Sequence, residues 1–172
     1  MAPLLAADAE AVIATSQNLT EADVVPLFDE ALTAWAAAGI SDSQLAQLEG
    51  LQVQIADLFG ALSGTQVGNT ITLDINAAGH GWFVSPGSRD KSLEPADSDA
   101  HSDSGLSTSD SRLRIDLLTV LYHELGHALG LEDDYSDPSS DHITNGWLPI
   151  GTRRMPGNTA IDALMADLAL DK

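Results

Sequence analysis

HELGHALGLED, residues 123–133, decides how the rest of the chain is read. An α-helix turns about 100° per residue, so His123 and His127 share one face, one turn apart. Two imidazoles at that spacing can hold one tetrahedral metal ion. Glu124 lies to the side of them, within reach of a metal-bound water whose proton a carboxylate can take. Gly130 then lets the backbone leave the helix with positive φ and bend back. The residue this brings round is Asp133, and a carboxylate is a legitimate zinc ligand that leaves a fourth position for water. The residues therefore point to metal-assisted hydrolysis, with His123, His127 and Asp133 as ligands and Glu124 as base. Glu132, Asp134 and His142 are the alternatives for the third ligand. The competing reading of two histidines on an apolar helix is a packed core, but without a metal they would need other polar partners.

Outward from this stretch, RLRIDLLTVLYHELGHALG is apolar on most of its circumference, which predicts a central buried helix from near Arg112 to Gly130. On that helix Asp116 falls on the face of the two histidines, where a solvated or salt-bridged role is expected and support of the metal ligands is the alternative. Tyr122 reads as core packing. Upstream, Thr20 and Asp23 resemble a capping box ahead of a helix to about Ala38, with Val24, Leu27, Phe28, Ala31, Leu32 and Trp35 on one stripe and Gly39 as its stop. Ser41 or Asp42 can cap a second, short helix ending at Gly50. LQVQIADL (51–58) and GNTITLDINA (68–77) alternate as half-buried strands, and GWFV (81–84) is a short apolar run. Residues 1–19 read as a lead-in, and 20–172 as one domain. The polar stretch 85–111 is too long for an ordinary connection and reads as a surface loop. A second reading has it bind calcium through Asp97, Asp99 and Asp103, although no EF-hand pattern is present. Residues 159–170 predict a C-terminal helix capped by Thr159.

The 172 residues are enough for one domain with its own core, and 44% are hydrophobic, a globular composition. No apolar run approaches the roughly 20 residues that span a bilayer. The formal net charge is −19, and the first basic residue is Arg89. Such a field repels nucleic acid and anionic membranes. With no cysteine, disulfides, Cys-ligated zinc and a Cys nucleophile are excluded.

HExxHxxGxxD resembles the metzincin clan of zinc endopeptidases, whose usual third ligand is histidine; the aspartate variant is similar to the snapalysin branch. AWAAAGIS, QIADL, GNTITLDINAAGHGWFV, DLLTVLYHELGHALGLED and GTRRMP together resemble matrixin-like domains of large bacterial surface or secreted proteins. The resemblance implies an α+β, zincin-like fold, with a twisted mixed sheet packed on an N-terminal helix and a central active-site helix. It implies zinc on His123, His127 and Asp133, with Glu124 as catalytic base. It implies peptide substrates paired to an edge strand within 68–77, and a secreted or cell-surface location as a monomer or a domain of a longer chain. A non-catalytic zinc- or calcium-binding module is the alternative. Metzincins also carry a methionine turn under the metal, for which Thr144, Met155 and Met165 compete here. Arg153 and Arg154 are expected to pair with acidic groups and tie the C-terminal segment to the body. His80 and His101 read as ordinary polar residues, with a second metal near His80 as the sharper reading.

Overall fold

The computed structural model of the chain describes residues 4–6, 18–85 and 114–157. Helix α1 (Glu21–Ala38) starts where the Asp23 carboxylate accepts both the N–H and the O–H of Thr20, and ends at Gly39 with φ 108°. It buries Val24, Leu27, Ala31 and Trp35. Helix α2 (Asp42–Glu49) is capped by the Ser41 hydroxyl, which accepts from the Gln44 N–H.

The main sheet is mixed and five-stranded, in the order β2-β4-β3-β1-β7. Strands β2 (Gln52–Ala56) and β4 (Thr70–Asp74) run parallel, while β3 (Leu62–Val67) runs antiparallel to β4. Strand β1 (Leu4–Ala6), inside the expected lead-in, and β7 (Trp147–Leu148) complete it. Ile71 and Leu73 of β4 face the core as the alternation predicts. Thr72 and Asp74 on the other face are buried too: the Gln54 amide donates to the Thr72 hydroxyl, and the Asp74 carboxylate accepts from the N–H groups of Leu58, Asn76 and Ala78. An edge strand within 68–77 is not what forms: β4 is hydrogen-bonded on both sides. Strand β3 was not anticipated. LSGTQV holds few β-formers, and its central glycine reads as a turn. Pairing with β4 and contact with the helix above it outweigh that local preference.

A second, two-stranded sheet joins β5 (Trp82–Phe83) to β6 (Ile115–Asp116) in parallel. It changes where the central helix begins. Helix α3 runs Leu117–Ala128 rather than from Arg112, because Ile115 and Asp116 are taken up by pairing with β5. Asp116 then becomes the N-cap, its carboxylate accepting from the N–H and O–H of Thr119. Every residue from Leu117 to Gly126 is buried. Helix α3 lies between α1 and β3. The Trp35 indole N–H donates to the Tyr122 carbonyl, which fixes α1 against it. On the other side Gly64 of β3 sits so close that an added Cβ would meet Val120 Cγ1 at 2.8 Å and Glu124 Oε1 at 2.9 Å.

Behind the helix, Arg153 grips the Asp116 carboxylate, with Nη2 2.7 Å from Oδ1 and Nε 3.2 Å from both oxygens. Its guanidinium also lies over the Phe83 ring, 5.7 Å from the centroid. This is the tie expected of Arg153. Arg154 is buried instead without a carboxylate contact of that kind; its Nη1 donates to the Asn145 carbonyl. The calcium reading of Asp97, Asp99 and Asp103, His101, most of the 85–111 loop, Met165 and the helix at 159–170 all lie outside the described residues.

Candidate metal centre

The C-terminus of α3 is closed by a Schellman turn. The Gly130 N–H donates to the His127 carbonyl and the Leu131 N–H to the Gly126 carbonyl, with Gly130 at φ 100°. The turn reverses the chain and carries Asp133 back over the last helical turn. Asp133 Oδ1 lies 2.9 Å from His123 Nε2 and 3.5 Å from His127 Nε2, and the two Nε2 atoms are 2.9 Å apart. Among the described residues this is the one His/Cys/Asp/Glu group with the geometry to hold a metal. Glu132, Asp134, His142 and His80 are not part of it.

The tautomers follow from the outer hydrogen bonds. His123 Nδ1 is 2.7 Å from the Ile143 carbonyl, and His127 Nδ1 is 2.8 Å from the Leu131 carbonyl. A carbonyl only accepts, so both Nδ1 atoms donate, and each neutral ring turns its Nε2 lone pair toward the other. Asp133 Oδ1 joins them as a third acceptor, buried and without a hydrogen-bond partner. Three convergent acceptors repel one another unless a cation sits among them. Ligand atoms on tetrahedral zinc stand roughly 3.3 Å apart, given bonds of about 2.0–2.1 Å. The observed 2.9, 2.9 and 3.5 Å bracket that spacing. The donor set therefore fits zinc.

Glu124 stands beside this group, fully buried against Gly64, and neither of its oxygens has a hydrogen-bond partner. Burial pushes its carboxyl up to about 8, opposed in part by His127 and reinforced by Asp133. Burial also works against the charged form of Asp133, but the two imidazoles outweigh it and hold that carboxyl well below the usual range. For His127, burial disfavours the cation, yet the Asp133 carboxylate near Nε2, the Leu131 carbonyl at Nδ1 and the Glu124 carboxylate raise its pKa overall.

The sequence matches the matrixin family over residues 9–140, most of the chain. The chain belongs to the matrixin family. No curated protein and no solved structure matches it significantly. Membership places it in a zinc metalloprotease family and accounts for the α+β fold.

Around this matrixin centre the structure adds residues that the sequence did not single out. Tyr135 donates from its hydroxyl to Asp133 Oδ2 at 3.3 Å, and its ring stacks edge-on against Trp147 at 5.9 Å. That ring lies over Gly146, where an added Cβ would fall 2.3 Å from it. Asn145 is fully buried and organises the loop under His123. Its amide donates to the carbonyls of Asp137 and Ser140, and its Oδ1 accepts from the Trp147 N–H. This loop presents the Ile143 carbonyl to His123, so Thr144 stands beside the site. Met155 is 55% exposed and forms no floor to it. The signal for Tyr135 and Asn145 was weak, since each lies in a polar stretch that reads as loop.

Proposed function

We propose that this matrixin is a zinc-dependent endopeptidase in which His123, His127 and Asp133 hold the metal and Glu124 is the general base. The observation that carries the reading is Glu124: a buried carboxylate with no hydrogen-bond partner among the described residues, beside three acceptors that need a cation. A purely structural metal site has no use for such a group, and leaving a carboxylate dry and unpaired is costly. Bound here, zinc would supply Lewis acidity toward a water and the scissile carbonyl. Glu124 takes the proton from the attacking water and delivers it to the departing amine nitrogen. The Ile143 and Leu131 carbonyls keep both imidazoles in the tautomer that offers Nε2. Tyr135 holds Oδ2 of Asp133, so that Oδ1 is the oxygen presented to the metal.

The test is cleavage of an unfolded protein by zinc-loaded wild type and Glu124→Ala, with equal metal content established in both. Wild type should cut, and the variant should lose at least about 100-fold in rate, the scale of a positioned base. Cleavage by the variant at the wild-type rate rejects Glu124 as the base. No cleavage by either, with one zinc bound to each, favours the non-catalytic module.

A further inference from the structure

Residues 151–154 run as a strap along one face of α3. The Gly151 N–H donates to the Arg114 carbonyl at 2.8 Å, Arg153 grips Asp116, and the Arg154 N–H donates to the Thr119 hydroxyl at 2.9 Å. That hydroxyl gives its own proton to Asp116 Oδ2, 2.6 Å away. Asp116, Thr119 and His123 are spaced i, i+3 and i+7, so the strap follows the face that carries the first candidate ligand. The Arg154 side chain extends it by one more turn. Thr119 and His123 are four residues apart, a rise of about 6 Å that an arginine stem can span. With its backbone fixed at Thr119, Arg154 donates from Nη1 to the Asn145 carbonyl at 3.2 Å. Asn145 closes a turn, its N–H donating to the His142 carbonyl at 3.1 Å. Inside that turn is Ile143, whose carbonyl accepts from His123 Nδ1 at 2.7 Å. Arg154 is also an unusual residue to bury. It is 4% exposed, its Nε has no hydrogen-bond partner, and unlike Arg153 it has no carboxylate in salt-bridge contact among the described residues. Burying a cation with so few partners is costly. A methionine would fill the same space without that cost, so what the arginine adds is the hydrogen bond it delivers.

We propose that Arg154 is a positioning residue for the metal centre: anchored at Thr119, it holds the turn at 142–145 so that the Ile143 carbonyl stays on His123 Nδ1. The proposal rests on the reading of His123 as a metal ligand. Arg154 acts through the Asn145 carbonyl, and the hydrogen bond it protects sets the tautomer and the aim of His123. His127 is outside its reach, because the carbonyl on that Nδ1 comes from Leu131, in the turn beyond the far end of α3. Arg154 therefore acts on one histidine and not on the other, which a general support of the fold would not do. Local rules are broken mostly where function requires it, and a cation buried without a carboxylate beneath a ligand-bearing helix is such a break.

The experiment is proton NMR of the full chain loaded with Co(II) in place of zinc, carrying Glu124→Gln so that nothing is cut. Cobalt moves the Nδ1–H signals of coordinated histidines clear of the other resonances, and the exchange of each with water is then read separately. The parent protein should show two such signals. Arg154→Met keeps the stem and removes the donors. It should speed exchange at His123 by at least about fivefold, the worth of roughly one net hydrogen bond, and leave His127 unchanged. Zinc affinity, measured by competition with a chelator, should fall by about 10-fold, the low end for loss of a group that supports a ligand. Arg154→Lys keeps a charged donor without the planar fork, and its His123 exchange should lie between those of the parent and Arg154→Met. Unchanged exchange at His123 in Arg154→Met, or equal acceleration at both histidines, overturns the proposal. Should Arg154→Met fail to fold, Arg154→Lys decides, and a His123 signal that exchanges as in the parent overturns it instead. A parent protein without the two signals rejects ligation by the histidines and the proposal with it, whereas two signals indifferent to residue 154 reject the role of Arg154 alone.

Discussion

Asp133 shows how one side chain serves two demands. Its Oδ1 faces both imidazoles while Tyr135 engages Oδ2. An amide at this position keeps the shape and removes the charge. Asp133→Asn should therefore weaken zinc binding by at least about 100-fold, beyond the range seen for supporting residues around metal ligands. Tyr135→Phe removes only the hydroxyl contact, and a roughly 10-fold loss is expected. Competition with a chromophoric chelator measures both. Equal zinc affinity in Asp133→Asn and wild type would exclude Asp133 as a ligand. The pair His123 and His127 was legible from letters alone, since four residues is one helical turn. Their outer partners were not, because the Ile143 carbonyl lies 20 residues from His123.

At the scale of elements, two glycines bracket α3, the helix that carries His123 and His127, for different reasons. Gly130 needs a positive φ, and nothing lies within 4 Å of an added Cβ. Gly130→Ala should cost only the left-handed backbone penalty of about 1–2 kcal/mol. Gly64 is limited by space instead. A Cβ there would press on Val120 and Glu124 and push β3 off α3, an overpacking cost of about 1–3 kcal/mol. The two should also differ in function: Gly64→Ala displaces Glu124 and lowers kcat, while Gly130→Ala disturbs the turn toward Asp133 and lowers zinc affinity. Denaturant unfolding and zinc titration on both variants check this; identical profiles would refute it. The Gly130 stop was readable because a helix C-cap is a local feature. Strand β3 was not, since its hydrogen-bonding partners and the helix over it come from elsewhere in the chain.

For the molecule as a whole, the charged centre predicts opposite pH responses with and without metal. Without metal, Glu124 has a folded pKa of about 8, above its ordinary value, so the native state holds a proton that the unfolded chain releases. Stability then falls as pH rises through that interval. His127, also raised, adds stability that is present below its ordinary pKa and lost as pH climbs through the folded value. Asp133, held low, is ionised in both states across this range and contributes a constant amount there. The chelated protein should therefore melt lower at pH 8 than at pH 5, and Glu124→Gln should flatten that slope. Zinc reverses the trend, because its ligands must shed protons before binding. At 100 times its Kd, zinc should add about 2.7 kcal/mol. For a chain of this length that is roughly 5–10 °C in Tm. Thermal melts at the two pH values decide it: a chelated wild type that is more stable at pH 8 would contradict the assignment of Glu124 to a dry pocket.

The grouping of His123, His127 and Asp133, the caps of α1 and α2 and the alternation of β2 and β4 could be read directly, because each depends on residues within a turn or two of one another. The start of α3 at Leu117 could not, since Ile115 and Asp116 were claimed by a pairing with Trp82 and Phe83 across a long connection. Nor could the inner position of β4, or the placing of Leu4–Ala6 beside Gly64 and Trp147. Alternation says which face of a strand is apolar but not which neighbour it will find. That choice is made only when distant segments compete for the same hydrogen-bonding edges, and here the edge in question adjoins the metal centre.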